Sequence, residues 1–80
     1  MSKSLNSPRH EFIKNAFVKQ RTAMGMTQAA VAEKLGKPQS YIAKIEGGER
    51  RIDLVELVDM AEVIELDVDA RLRAMRKVRR

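Results

Sequence analysis

Eighty residues, 44% of them hydrophobic, fit one domain near the small end for a self-sufficient core. The absence of cysteine excludes a disulfide framework and a thiolate metal site, and no apolar run approaches the roughly 20 residues of a membrane span. The formal net charge of +5 is unevenly spread: residues 1–51 hold ten Lys/Arg against four Asp/Glu, residues 52–70 hold seven acids and no base, and residues 71–80 hold six bases and no acid. A basic first half suits a polyanion, since each neutralised phosphate releases counterions, and the acidic block confines such binding to one face. Solubility charge accounts for the same composition. The stretch Met1–Pro8 carries no apolar segment fit for a signal peptide, so a soluble cytoplasmic protein with no membrane partner is expected.

Residues 1–7 read as a flexible arm of Ser, Asn and Lys. Pro8 suits a helix start, Ile13, Phe17 and Met24 follow at near-helical spacing, and Gly25 ends this helix in the left-handed conformation. Thr27 is a good N-cap for a second helix that buries Val31, Ala32 and Leu35 and stops at Gly36. A third begins near Pro38 or Gln39, buries Ile42 and Ile45, and stops at Gly47-Gly48. Its amide, hydroxyl and amine side chains lie on the face that the apolar residues leave free, as a helix presented to a DNA major groove requires. Asp53 opens a fourth helix, with Glu56 completing an Asp-x-x-Glu capping pattern. Leu54, Leu57, Ala61 and Ile64 form its inner stripe, and Val55, Val58 and Val63 widen its apolar surface beyond one face. A last short helix starts at Asp67, includes Ala70, Leu72 and Met75, and runs into Arg76–Arg80, where fraying is expected. With no strand pattern and no repeat, the chain reads as all-α: an arm over 1–7, a helical domain over 8–75 and a basic tail over 76–80.

The ordered set Arg21, Gly25-Met26-Thr27-Gln28, Ala32, Leu35-Gly36, Gln39-Ser40-Tyr41-Ile42, Lys44-Ile45-Glu46, Gly48, Ala61-Glu62 and Leu66-Asp67-Val68-Asp69 is specific as a whole. It resembles the phage-repressor/Cro-type helix-turn-helix regulators, also called the xenobiotic-response-element class, over about residues 12–72. The resemblance implies a compact five-helix, lambda-repressor-like DNA-binding domain that reads duplex DNA with its third helix.

Gln28 stands at the first turn of the second helix, where unpaired backbone amides and a partial positive charge suit a phosphate. The resemblance implies that it clamps the DNA backbone and braces the first residue of the next helix; a plain solvated position is the alternative. If Ile42 and Ile45 point inward, Gln39, Ser40 and Lys44 point largely outward. A Gln amide pairs with adenine N6 and N7, and Lys donates to guanine O6 and N7. The resemblance implies that Gln39 and Lys44 touch bases, with Ser40 and Tyr41 on bases or phosphates; the Tyr41 ring could instead cover an edge of the core. It also implies that Arg21 and Glu46 form a structural pair orienting the third helix, with Arg21 as a phosphate ligand the alternative. Lys37, Arg50 and Arg51 flank the third helix in loops, where bases commonly meet the sugar-phosphate backbone. Lys3 and Arg9 have the reach to extend along the duplex, and His10 reads as a surface histidine.

Two departures from the family pattern stand out. Pro38 occupies the place where Ser or Thr usually caps the third helix. Glu65 stands where a glycine usually ends the fourth, which puts the turn into Leu66 in doubt because left-handed geometry costs a non-glycine residue roughly 1 kcal/mol or more.

Catalysis finds no support: with no Cys and one His, nucleophile–base pairs and most zinc sites are out of reach, and there is no phosphate-cradling glycine loop. No cofactor, metal or small-molecule substrate is expected. Asp53, Glu56, Asp59, Glu62 and Glu65 recur every three residues and read best as a solvated acidic face. A single short helix reads few base pairs, so a repressor acting as a homodimer on a two-fold operator is the expected role. Val55, Val58, Val63, Leu72 and Met75 are the candidate dimer seam. An antitoxin with a toxin partner, a restriction–modification controller, and a protein-interaction adaptor that no longer binds DNA are the alternatives.

Overall fold

The computed structural model describes residues 7–80. Five helices follow one another: α1 (Pro8–Ala23), α2 (Gln28–Leu35), α3 (Gln39–Glu46), α4 (Leu54–Ile64) and α5 (Val68–Met75), with no strand among the described residues. Four of them begin at a side chain that accepts an otherwise orphaned backbone N–H. Ser7 Oγ accepts from His10 at 3.1 Å, Thr27 Oγ1 from Ala30 at 3.0 Å, and Asp67 Oδ1 from Ala70 at 3.0 Å. At α4 the reciprocal box is complete: Asp53 Oδ1 accepts from the Glu56 N–H at 2.7 Å, and Glu56 Oε1 accepts from the Asp53 N–H at 3.0 Å.

Helix α3 is the exception. Pro38 stands at its N-cap in an extended conformation with no side-chain cap bond. The Pro38 carbonyl still accepts the Tyr41 N–H at 3.0 Å, so the helix starts where the proline's fixed φ lets it start. At the end of α4, Glu65 takes the left-handed conformation itself, at φ 58°, and the Leu66 N–H reaches back to the Ala61 carbonyl at 2.9 Å. The glycine-type turn is therefore kept without glycine. Gln20 Nε2 of α1 donates to the Ile64 carbonyl at 3.1 Å and holds that strained turn in place.

Phe17, Val31, Ala32, Ile42, Ile45, Met60 and Ile64 form the core, drawn from the first four helices and none more than 2% exposed. Two residues expected on inner faces are not there. Leu54 is 69% exposed, because the first residue of α4 points its side chain back past the helix start, beyond the packed layer. Its place in the stripe is taken by Met60, which is fully buried beside Leu57, Ala61 and Ile64. Met24 lies past the last turn of α1 and is exposed. Val63 packs against the core, whereas Val55 and Val58 stand in solvent.

The end of the chain also departs from expectation. Turn bonds continue from α5 through Val78, with Lys77 N donating to the Ala74 carbonyl at 3.1 Å and Val78 N to that of Met75 at 2.9 Å. Arg9 at the start of α1 then donates from Nε to the Val78 carbonyl at 2.9 Å and from Nη2 to the Arg76 carbonyl at 3.1 Å. Those bonds use the guanidinium that was expected to extend along a duplex, and they hold residues 76–78 against α1 instead of letting them fray. Lys3 and the rest of residues 1–6 lie outside the described residues; Ser7, assigned to the arm, is the cap of α1. His10 is half-buried. Among the described residues no helix is long and apolar enough to cross a membrane.

Candidate nucleic-acid interface

Burial of Ile42 and Ile45 fixes which face of α3 looks outward. At about 100° per residue the opposite face centres on Ser40 and Lys44, with Ala43 beside Ser40 toward Gln39. Ser40 and Lys44 are exposed and Ala43 is half-buried. Gln39 falls on one flank of this face and Tyr41 on the other, and each flank is tied down differently.

On the Gln39 flank a continuous chain of bonds crosses three helices. Arg21, in the last turn of α1, makes a forked pair with Glu46 at the end of α3: Nε to Oε2 at 2.6 Å and Nη2 to Oε1 at 2.8 Å. The third guanidinium corner, Nη1, donates to the Met26 carbonyl at 2.8 Å, just ahead of α2. Gln28 Nε2 donates to the same Glu46 Oε1 at 2.8 Å, and Gln28 Oε1 accepts from Gln39 Nε2 at 2.6 Å. The side chains of Arg21 and Glu46 are only 12% and 8% exposed, so the pair is nearly dry and geometrically specific. Gln28 thus braces Gln39, and Arg21 is committed to Glu46 as a structural partner.

On the Tyr41 flank the groups are wetter. The Tyr41 ring packs at the edge of the core, and two cations sit over it: Lys37 Nζ lies 5.2 Å and the Arg50 guanidinium 4.8 Å from its centroid. Arg50 also forks onto Glu56 of α4, from Nη1 to Oε1 at 3.1 Å and from Nη2 to Oε2 at 2.9 Å. Burial and a hydrogen bond to the Glu56 carboxylate push the Tyr41 hydroxyl up to about 12. Burial by itself raises the Glu56 carboxyl, but the Asp53 N–H, the Tyr41 hydroxyl and Arg50 outweigh it and hold the group below the usual carboxylate value. Arg51 is exposed next in the loop.

Two residues of this surface escaped sequence reading. Ala43 carries no polar group, and its place at the Gln39-side edge of the outward face follows only once Ile42 and Ile45 are fixed inside; a small apolar side chain there suits a thymine methyl. Glu56 was read as a helix cap and part of an acidic face, with no signal that the same carboxylate holds a base from the preceding loop. Its acidic companions Asp59, Glu62 and Glu65 are exposed, and among the described residues no group of three or more His, Asp or Glu side chains is arranged to hold a metal ion.

A family model described as helix-turn-helix matches residues 18–70. An XRE-family like protein from Pseudomonas syringae pv. tomato str. DC3000 is 35% identical, superposes with a TM-score of 0.80, and shares 85% of this chain and 83% of its own. The chain belongs to the XRE family of helix-turn-helix proteins. In this XRE protein the helix-turn-helix is α2 and α3, and its role is that of a DNA-binding transcriptional regulator. The fold is shared further with the wild-type restriction-modification controller protein C.Esp1396I, at 24% identity and a TM-score of 0.77 over 90% of this chain and 95% of that one. A comparison with curated proteins gives no match.

Proposed function

We propose that this XRE protein binds duplex DNA sequence-specifically as a homodimer, with α3 in the major groove, and represses transcription by occupying a promoter. The observation that carries this reading is the chain Arg21–Glu46–Gln28–Gln39. It spends a nearly buried ion pair and two amide bonds on fixing the angle of α3 to α2, while leaving Ser40, Ala43 and Lys44 facing out. A rigid helix with a polar outward face and cations on its margin is what groove readout needs.

Eight residues of α3 extend about 12 Å, enough to follow only a few base pairs. Two copies on half-sites about 34–36 Å apart would supply the missing specificity. Exposed Val55 and Val58, with half-buried Leu72 and Met75, are the proposed seam between copies. Gln28, Lys37 and Arg51 are proposed to meet phosphates, and Gln39, Ser40 and Lys44 base edges.

Selection from random duplex DNA at fixed, near-physiological salt tests the reading. Enrichment of a two-fold symmetric motif is the expected result. Recovery of no motif, together with a salt slope much shallower than the roughly −5 that six phosphate contacts imply, would replace it with a protein-interaction role.

A further inference from the structure

Arginine carries five N–H donors on a planar fork, and what holds the fork decides where its remaining donors point. In this chain Arg50 is held at both ends. Gly48, at φ 82°, turns the chain back on itself after α3, so that the Glu49 and Arg50 N–H groups both reach the Lys44 carbonyl, at 2.9 and 3.2 Å. The guanidinium lies over Tyr41, donates through Nη1 to Glu56 Oε1 and more weakly to the Arg51 carbonyl at 3.3 Å, and pairs through Nη2 with Glu56 Oε2. Three donors are thereby used, which leaves the Nε–H and one Nη2–H with no acceptor among the described residues, on a side chain that is 42% exposed. The Glu56 side chain beneath it is only 16% exposed, and its own backbone bond to Asp53 fixes it to the first turn of α4.

We infer that Glu56 is a positioning residue for DNA binding: its carboxylate holds the Arg50 guanidinium at the margin of α3, so that the two remaining donors meet a backbone phosphate. This rests on the duplex-binding reading above. A loose arginine would lose the freedom of its rotatable bonds on meeting a phosphate, whereas this one has already lost it in the free protein. Tyr41 serves as the floor of the device, with its ring under the guanidinium.

The sign of one substitution separates positioning from simple charge. Glu56→Gln keeps a capping-box side chain at this position, so α4 retains its start. If Glu56 only repels the polyanion, removing its charge strengthens binding. If it positions Arg50, binding weakens although the protein has become more basic. The experiment measures affinity for one fixed duplex of mixed sequence against salt, for the wild type, Glu56→Gln, Arg50→Ala and the double variant, with thermal unfolding of each as a check on folding.

Expected results are a loss on the order of three- to tenfold in Glu56→Gln, a log–log salt slope flatter by about one unit, and no further loss when Glu56→Gln is added to Arg50→Ala. Tighter or unchanged binding in Glu56→Gln, or an equal loss with and without Arg50, overturns the inference. A wild-type chain with no salt-dependent binding sinks instead the DNA reading beneath it, and the two failures are distinct.

Discussion

On one side of α3 a nearly dry ion pair ties its end to α1 and, through Gln28, to α2; on the other a half-wet one runs through a loop to the start of α4. Arg21 and Arg50 both fork onto a glutamate, yet the first is 12% and the second 42% exposed. Desolvation makes the first expensive to break from one side, while water screens the second and leaves it little net worth to the fold. The same pair of side chains thus does two jobs: where it is dry it sets the angle of a helix, and where it is wet it holds donors ready for something that arrives from solvent.

The largest effect is expected on the dry side. Glu46→Ala leaves Arg21 and Gln28 without their shared acceptor and should cost about 3–5 kcal/mol, read as a fall in unfolding midpoint in denaturant. A loss of only a few tenths would mean that the two flanks do not differ in kind. Next comes the face between them. Lys44→Ala should lose about 1–3 kcal/mol of discrimination at one or two base positions in a selection run beside the wild type, and an unchanged motif would show that the outward face of α3 has been given the wrong register.

On the wet side, Arg50→Ala should cost the fold less than about 1 kcal/mol, however much it costs DNA binding. A loss as large as that of Glu46→Ala would erase the contrast. The smallest effect is in acid. The Glu56 carboxyl titrates below its ordinary 4.5 in the folded chain, so the stability it adds is fully present above that value and is lost as the pH falls through the lowered one. Melting curves at a series of pH values should therefore show the wild type's advantage over Glu56→Gln shrinking below about 4.5; an advantage that grows in acid would reverse the assignment.

The features that sequence reading captured are mostly those written locally. Thr27, Asp53 and Asp67 cap helices within three residues of themselves, and Gly36 ends α2 at the next position. The Arg21–Glu46 pair spans 25 positions and has no local signal; it was legible only through the ordered family pattern around it. Where neither source speaks, the reading failed. Arg9 and Val78 lie 69 positions apart, and nothing near either one announces the bond. Leu54 and Met60 have similar hydrophobic claims on the inner stripe of α4, yet the first is 69% exposed and the second fully buried. Glu56 was hidden by its companions: a run of acids at every third position reads as one solvated face, although one of them folds inward onto a base. Glu65 shows a tertiary contact overriding propensity, since Gln20 grips a turn whose sequence argues against its shape.

Tyr41 is the one tyrosine in a chain without tryptophan. The near-ultraviolet signal of the whole protein therefore originates almost entirely at the margin of α3, from a ring that lies under Lys37 and Arg50, the latter paired with Glu56. Any shift of those three charges when a polyanion arrives changes the surroundings of the only strong chromophore, so the molecule carries a built-in optical reporter at the surface where it is most informative, with no label attached.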